Sequence, residues 1–205
     1  MRYYLSQENF FTQKAKEEGY PARSVYKLQE IDRKFGIFQE GNAVLDLGGA
    51  PGSWLLYISK KVGPKGRVVG VDLEDFKIEM PANSVFLKKS VFDEQLRADI
   101  GVFNVVASDL APGTTGLHEK DVADCLELTQ RAFEIACQTL EAGGSFVCKI
   151  FQGADVDDFI KEVGKSFKTV KRYRPQAIRR GSREFYLIAK NFIHSGILTY
   201  SKCLL

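Results

Sequence analysis

Short apolar runs alternate with amphipathic stretches along most of the chain, and the alternation reads as strand, helix, strand, helix. Residues 7–18 are polar and permit a helix that ends at Gly19. After Pro21, residues 23–35 carry Val25, Leu28, Ile31 and Phe35 at helical spacing, with Lys27 at the border of that stripe. The run Ala43–Leu47 suits a parallel strand covered on both faces. A helix over Ser53–Val62, a turn at Gly63-Pro64-Lys65-Gly66 and a second strand over Arg67–Asp72 follow. The pattern then predicts a strand at 84–87, a short helix at 92–100 and a strand at 102–107. A long amphipathic helix over 119–140 stops at Gly143-Gly144. Residues 145–150 form the fifth strand, with Lys149 near its end, and 155–167 a helix. Two last strands, 169–173 and 184–189, have only the basic loop 174–183 between them.

Such an alternation specifies an α/β doubly wound sheet with helices on both faces. Ligands in these sheets bind at the carboxyl ends of the strands, where the winding reverses. With the first and fourth strands as central neighbours, Asp46, Gly48 and Asp109 face one crevice, and Asp72 and Lys149 end the flanking strands. Between the first strand and its helix lies Asp46-Leu47-Gly48-Gly49-Ala50-Pro51-Gly52-Ser53-Trp54. Glycines there let a ligand approach the main chain, and the helix start offers free N–H groups. A dinucleotide fingerprint would need G-x-G-x-x-G, but the third position from Gly48 is Ala50. The turn suits S-adenosylmethionine (SAM) better, which has an amine, a carboxylate and a sulfonium to hold. Asp46 is placed for the amine. Asp72, 20 residues after Gly52, is placed for two ribose hydroxyls.

Length and composition narrow the setting. The 205 residues suit one domain, 1–205, with an N-terminal helical extension over about 1–40 and a tail after 191 that carries no motif. No apolar run approaches the roughly 20 residues of a membrane span, and the first residues show no signal-peptide core. Cys125, Cys137, Cys148 and Cys203 form no C-x-x-C and read as reduced thiols of a cytoplasmic protein. His118 and His194 are too scattered for a metal site, so no metal is expected. The net charge of +3 hides an asymmetry: residues 161–190 hold ten Lys or Arg against Glu162 and Glu184. A basic block on a mildly acidic remainder points to a polyanion partner.

Five strings together, running in order from about residue 7 to 190, resemble the FtsJ-type RNA 2′-O-ribose methyltransferases. They are Arg23-Ser24-Val25-Tyr26-Lys27-Leu28, the Asp46 to Trp54 turn, Ser108-Asp109-Leu110-Ala111-Pro112, residues 144–153 around Lys149, and Ser182-Arg183-Glu184-Phe185-Tyr186. The resemblance implies a Rossmann-like SAM-methyltransferase sheet of seven strands, mostly parallel, with the seventh antiparallel between the fifth and sixth. It implies a catalytic tetrad of Lys27, Asp109, Lys149 and Glu184. Cofactor contacts are expected from Asp46, Gly48, Gly52, Trp54, Asp72, Ser90 and Asp109. Many members carry an Asp toward the adenine amino group where this chain has Ser90; its hydroxyl accepts more weakly, with the Val91 backbone as a substitute.

The tetrad suits the chemistry. A ribose 2′-hydroxyl must lose its proton as it attacks, and a lysine can take it where burial and nearby cations disfavour the lysine's charged form. Lys149 is assigned that role, with Asp109 orienting it and Glu184 holding Lys27 or the ribose. The expected substrate is RNA, first of all large-subunit ribosomal RNA, methylated by a monomer. The alternatives are a tRNA 2′-O-ribose methyltransferase and a non-catalytic RNA-binding module on the same fold. A small-molecule methyltransferase would add lid segments and would not need the basic block.

Overall fold

A computed structural model describes residues 7–113, 118–179 and 181–193. His194, Cys203 and the rest of the tail lie outside the described residues, as does Arg180 of the basic loop. In chain order the elements are α1 (Gln7–Glu17), α2 (Val25–Phe35), β1 (Ala43–Leu47), α3 (Ser53–Val62), β2 (Arg67–Asp72), β3 (Ser84–Lys88), α4 (Leu96–Ile100), β4 (Phe103–Ser108), α5 (His118–Thr139), β5 (Leu140–Phe151), α6 (Val156–Ser166), β6 (Phe167–Tyr173) and β7 (Glu184–Phe192). The strands form one seven-stranded sheet in the order β3-β2-β1-β4-β5-β7-β6. β1 pairs in parallel with β2 and β4, and β7 is antiparallel to both β5 and β6. The winding therefore reverses between β1 and β4, as the doubly wound reading requires.

Successive side chains of a strand point to opposite faces, and this divides the core in two. Leu45, Leu47, Val106, Cys148 and Ile150 pack with Phe133 of α5 and Val156 and Phe159 of α6. Val44, Val105, Ala107, Val147 and Tyr186 pack with Leu28 and Ile31 of α2 and Trp54 and Ile58 of α3. By the same period, Asp46, Lys149 and Glu184 belong to the α2/α3 face. No helix among the described residues is long and apolar enough to cross a membrane.

The structure corrects several boundaries. β5 begins at Leu140, so Gly143-Gly144 lies inside the strand stretch instead of in a plain helix stop. The step from Phe103 to Val105 on β4 is matched by Leu140 to Ser145 on β5, which makes an extended bulge. A Cβ on Gly144 would stand 2.9 Å from the Glu141 carbonyl oxygen, so only glycine fits that crossing. α4 is shorter than the pattern predicts, because Ser90 Oγ and Asp93 Oδ1 accept from the N–H groups of Phe92 and Gln95 and hold 90–95 in turns. The basic loop is no solvated strap. Ala177 and Ile178 are buried against α2 and its neighbours. Glu30 of α2 clamps the loop by accepting from the Tyr173 hydroxyl and, at 2.9 Å, from the Gln176 N–H.

What fixes α2 to the sheet is buried Asp32. Its Oδ1 accepts from the N–H groups of Ile37 and Phe38, both at 3.0 Å, and its Oδ2 from the Tyr57 hydroxyl at 2.6 Å. Lys61 Nζ stands 3.1 Å from the same Oδ2. Burial and this carboxylate push the Tyr57 phenol up. Replacing Asp32 by Ala strands two backbone donors and a hydroxyl. Asp32→Ala is expected to lower the unfolding free energy by about 2–4 kcal/mol, read as a drop in the urea midpoint, and Tyr57→Phe to cost about 1 kcal/mol.

Candidate active site

At the carboxyl edge of the sheet, the side-chain period of β5 and β7 aims Lys149 and Tyr186 at the same face, and the two residues are register partners. Asp109 follows the end of β4, its N–H donating to the Leu47 carbonyl of β1 at 3.0 Å. Lys149 is only 7% exposed. Its Nζ donates to the Asp109 carbonyl at 2.7 Å and stands 3.2 Å from Asp109 Oδ1. The buried Tyr186 hydroxyl donates to that same Oδ1 at 2.8 Å. Burial, then the charges of Asp109 and Glu184, push the Tyr186 phenol well above its ordinary value, so it stays a donor. Lys27 reaches over from α2 and forms an ion pair with Glu184 at the start of β7. The tetrad is thus two ion pairs, and Glu184 holds Lys27. Tyr186 was not singled out from the sequence as a site residue. The available signal was a phenol within the apolar run Phe185–Ala189, whose hydroxyl needs a partner once buried.

Beside Asp109 opens a cavity of about 290 Å³, lined by Gly48, Ala50, Asp72, Leu73, Ser90, Val91, Phe92, Leu110 and Leu128 among others. Asp72 is oriented by its neighbours: Oδ2 accepts from the Ala50 N–H and Oδ1 from the Glu74 N–H, both at 2.9 Å. Each oxygen keeps lone pairs for further donors. Gly48 has φ 77°, and a Cβ there would stand 2.8 Å from the Leu110 nitrogen. Asp46 is wholly buried, and neither carboxylate oxygen has a hydrogen-bond partner. Burial, then the Asp109 and Asp72 carboxylates, push its carboxyl well above the usual carboxylate range. A Cβ on Gly49 would touch Asp46 Oδ2 at 2.6 Å, so the turn lies directly over this group.

Not every residue expected at a cofactor lines the cavity. Gly48, Asp72, Ser90 and Asp109 do; Asp46 lies beneath the turn. Gly52 and Trp54 lie elsewhere. A Cβ on Gly52 would meet Ile78 at 2.6 Å, which makes it a packing glycine. Trp54 is buried against Tyr186, ring centroids 5.9 Å apart, and its indole N–H donates to the Ser24 carbonyl at 3.1 Å. The apolar walls Leu73, Phe92 and Leu128 were not foreseen, since nothing local distinguishes them from core. Nor was Arg131 of α5, whose Nε donates to the Val91 carbonyl at 2.7 Å and fixes the wall that carries Ser90. The Ser90 hydroxyl accepts from the Phe92 N–H of its own turn and keeps its O–H to donate. Among the described residues no group of three or more His, Cys, Asp or Glu is gathered as a metal would need.

A carboxylate aligned by main-chain donors, an orphaned buried carboxylate under a glycine turn and apolar walls between them suit a nucleoside bearing a cationic amino-acid arm. The comparisons agree with that geometry. Residues 20–192 match the family model described as FtsJ-like methyltransferase. The ribosomal RNA large subunit methyltransferase E of Nitratidesulfovibrio vulgaris is 46% identical over 184 residues, covering 87% of this chain and 90% of the relative. The enzyme of the same name from Desulforapulum autotrophicum is 42% identical over 181 residues, covering 87% and 89%. Among solved structures, a candidate ribosomal RNA methyltransferase of Plasmodium falciparum superposes with a TM-score of 0.74 at 24% identity, covering 84% of this chain and 98% of that one. Aeropyrum pernix fibrillarin with natively bound SAM gives a TM-score of 0.58 at 17% identity, covering 81% and 76%. At those identities the structures establish the shared fold. The family match spans nearly all the described residues and carries both ion pairs and the glycine turn with it: this chain belongs to the FtsJ-like methyltransferase family.

Proposed function

We propose that the protein transfers a methyl group from SAM to a ribose 2′-hydroxyl of large-subunit ribosomal RNA, with Lys149 as the general base. The observation that carries this reading is the buried Lys149–Asp109–Tyr186 cluster beside the Asp72 cavity. Relatives named as large-subunit ribosomal RNA methyltransferases, at 46% and 42% identity, support the substrate.

When bound, SAM supplies an electrophilic methyl group. Asp72 would hold its ribose hydroxyls, Asp46 its amino group, and Leu73, Val91, Phe92 and Leu128 would flank its adenine. Lys149 does the proton work. A neutral amine at Nζ has two N–H donors and one lone pair. The Asp109 carbonyl and carboxylate occupy the two donors, which leaves the lone pair for the 2′-hydroxyl proton. Tyr186 keeps the Asp109 carboxylate from turning away. Lys27, held by Glu184, places a second cation at the same face, where it orients the substrate. Alignment of the attacking oxygen then carries much of the rate.

Calorimetry is expected to show SAM binding and no NAD binding, with Asp72→Ala weakening SAM about ten- to hundred-fold through loss of charge-assisted hydrogen bonds. Lys149→Ala is expected to bind SAM yet lose about 10²–10⁴-fold in transfer from tritiated SAM. Lys149→Arg fares no better, since a guanidinium holds its proton at any working pH. An active Arg variant would make Lys149 an electrostatic anchor and place the base elsewhere.

Buried Asp46 adds a pH signature. Below the ordinary carboxylate range, folded and unfolded chains both carry its proton. Above that range the unfolded chain releases the proton while the folded chain retains it. The stability this lends is therefore lost as pH rises through the raised folded value, at most about 1.4 kcal/mol per pH unit. Denaturation of the SAM-free protein across this window is expected to show the decline, and Asp46→Asn to flatten it.

A further inference from the structure

A second cavity, of about 360 Å³, lies at the outer corner of the sheet, lined by Gln152, Arg172, Tyr173, Arg174, Arg183 and Phe185. Its floor is apolar: the Phe185 ring is buried, with the Arg172 guanidinium 5.8 Å above its centroid. The three arginines differ in how their charge is met. Arg172 is neutralised by an ion pair with Asp157 of α6. Arg174 donates to two backbone carbonyls, Glu184 at 2.7 Å and Arg179 at 3.4 Å. Those bonds fix its plane and leave its charge uncompensated. Arg183 is exposed and makes no ion pair among the described residues. The pocket therefore presents one guanidinium held by carbonyls and one without an ion pair among the described residues, a pairing suited to the oxygens of a phosphate.

Its position ties it to the chemistry. The carbonyl that anchors Arg174 belongs to Glu184, whose carboxylate holds Lys27. Glu184 is opposite Phe151 in register, and the Gln152 N–H donates to the Arg183 carbonyl at 3.0 Å. Phe151 stands two strand residues beyond Lys149, about 7 Å. The pocket thus lies where β5 ends and β7 begins, on the strands that carry Lys149 and Glu184.

We propose that this pocket holds a backbone phosphodiester of the RNA, next to the nucleotide whose ribose is methylated, and so sets which nucleotide reaches Lys149. The assignment rests on the RNA reading above. Phosphate contacts fix the register of a nucleic acid on a protein without reading its bases. This pocket does so from the element that also carries Glu184, so the docked chain meets a Lys27 already held by Glu184.

The test is binding of a short ribosomal RNA fragment to the full chain, measured apart from methyl transfer. Arg183→Gln, which breaks no internal contact, is expected to weaken RNA binding roughly ten-fold or more. It should lower the slope of log affinity against log salt by about 1, with SAM affinity and thermal midpoint as in the unaltered protein. Arg174→Gln should act in the same direction. RNAs with a single uncharged methylphosphonate linkage then locate the contact: one linkage flanking the methylated nucleotide should weaken binding to the unaltered protein and have no further effect on Arg183→Gln. An unchanged salt slope, or no linkage whose effect the variant abolishes, would overturn the proposal. RNA that binds with this coupling but accepts no methyl would sink the methyl-transfer reading and leave the pocket standing. RNA methylated without the coupling would do the reverse.

Discussion

The site depends on one carboxylate. Asp109 accepts from the Tyr186 hydroxyl on Oδ1, which also stands 3.2 Å from Lys149 Nζ, and gives Lys149 a second acceptor through its carbonyl. Its own N–H is tied to β1 through Leu47, so the lysine is positioned by the pairing of β1 with β4. A buried ion pair is poor at stabilising a fold, because desolvation offsets most of the Coulomb gain. Here the pair is worth more as a constraint. Three groups, one just after β4 and one each from β5 and β7, satisfy one another only when all three strands are in register.

The second ion pair has a different logic. Lys27 comes from α2, outside the sheet, so its position depends on how firmly that helix is held. Asp32 ties the end of α2 to the chain entering β1 and to Tyr57 of α3. Trp54 ties its start by donating to the Ser24 carbonyl, and Glu30 anchors the loop after β6 along its length. Trp54 thus serves the site indirectly, by packing between Tyr186 and the helix that supplies Lys27. The basic loop and Lys27 thus share one platform, α2, which Glu30 ties to the loop and the Lys27–Glu184 pair ties to β7.

Asp46 shows the cost of a carboxylate built into a core. Burial of this partnerless carboxylate, then the nearby Asp109 and Asp72 charges, favour its protonated form. A cationic group brought beneath the Gly48-Gly49 turn would take the place of that proton. On the function proposed above, the same carboxylate that weakens the fold at higher pH would favour the SAM-bound one.

Much of this protein was determined by sequence alone. The apolar periods placed all seven strands and the helices between them, because burial on two faces or one face writes itself into neighbouring residues. The glycine turn and Asp72 were legible for the same reason: backbone freedom at Gly48 and a carboxylate at a strand end are local requirements. Lys27, Asp109, Lys149 and Glu184 were legible through strings whose order the chain preserves. Only the tertiary structure decided who meets whom. Lys149 finds Asp109 across 40 residues and Tyr186 finds the same carboxylate across 77, and such pairings follow from strand register and from which face a side chain takes. The same holds for Trp54, turned into the core, for Asp46, left without a partner, and for Arg174, whose charge is fixed by carbonyls that no pattern of charged residues reveals. A sequence records what each position needs locally; the partner that meets the need is chosen by packing between segments far apart in the chain.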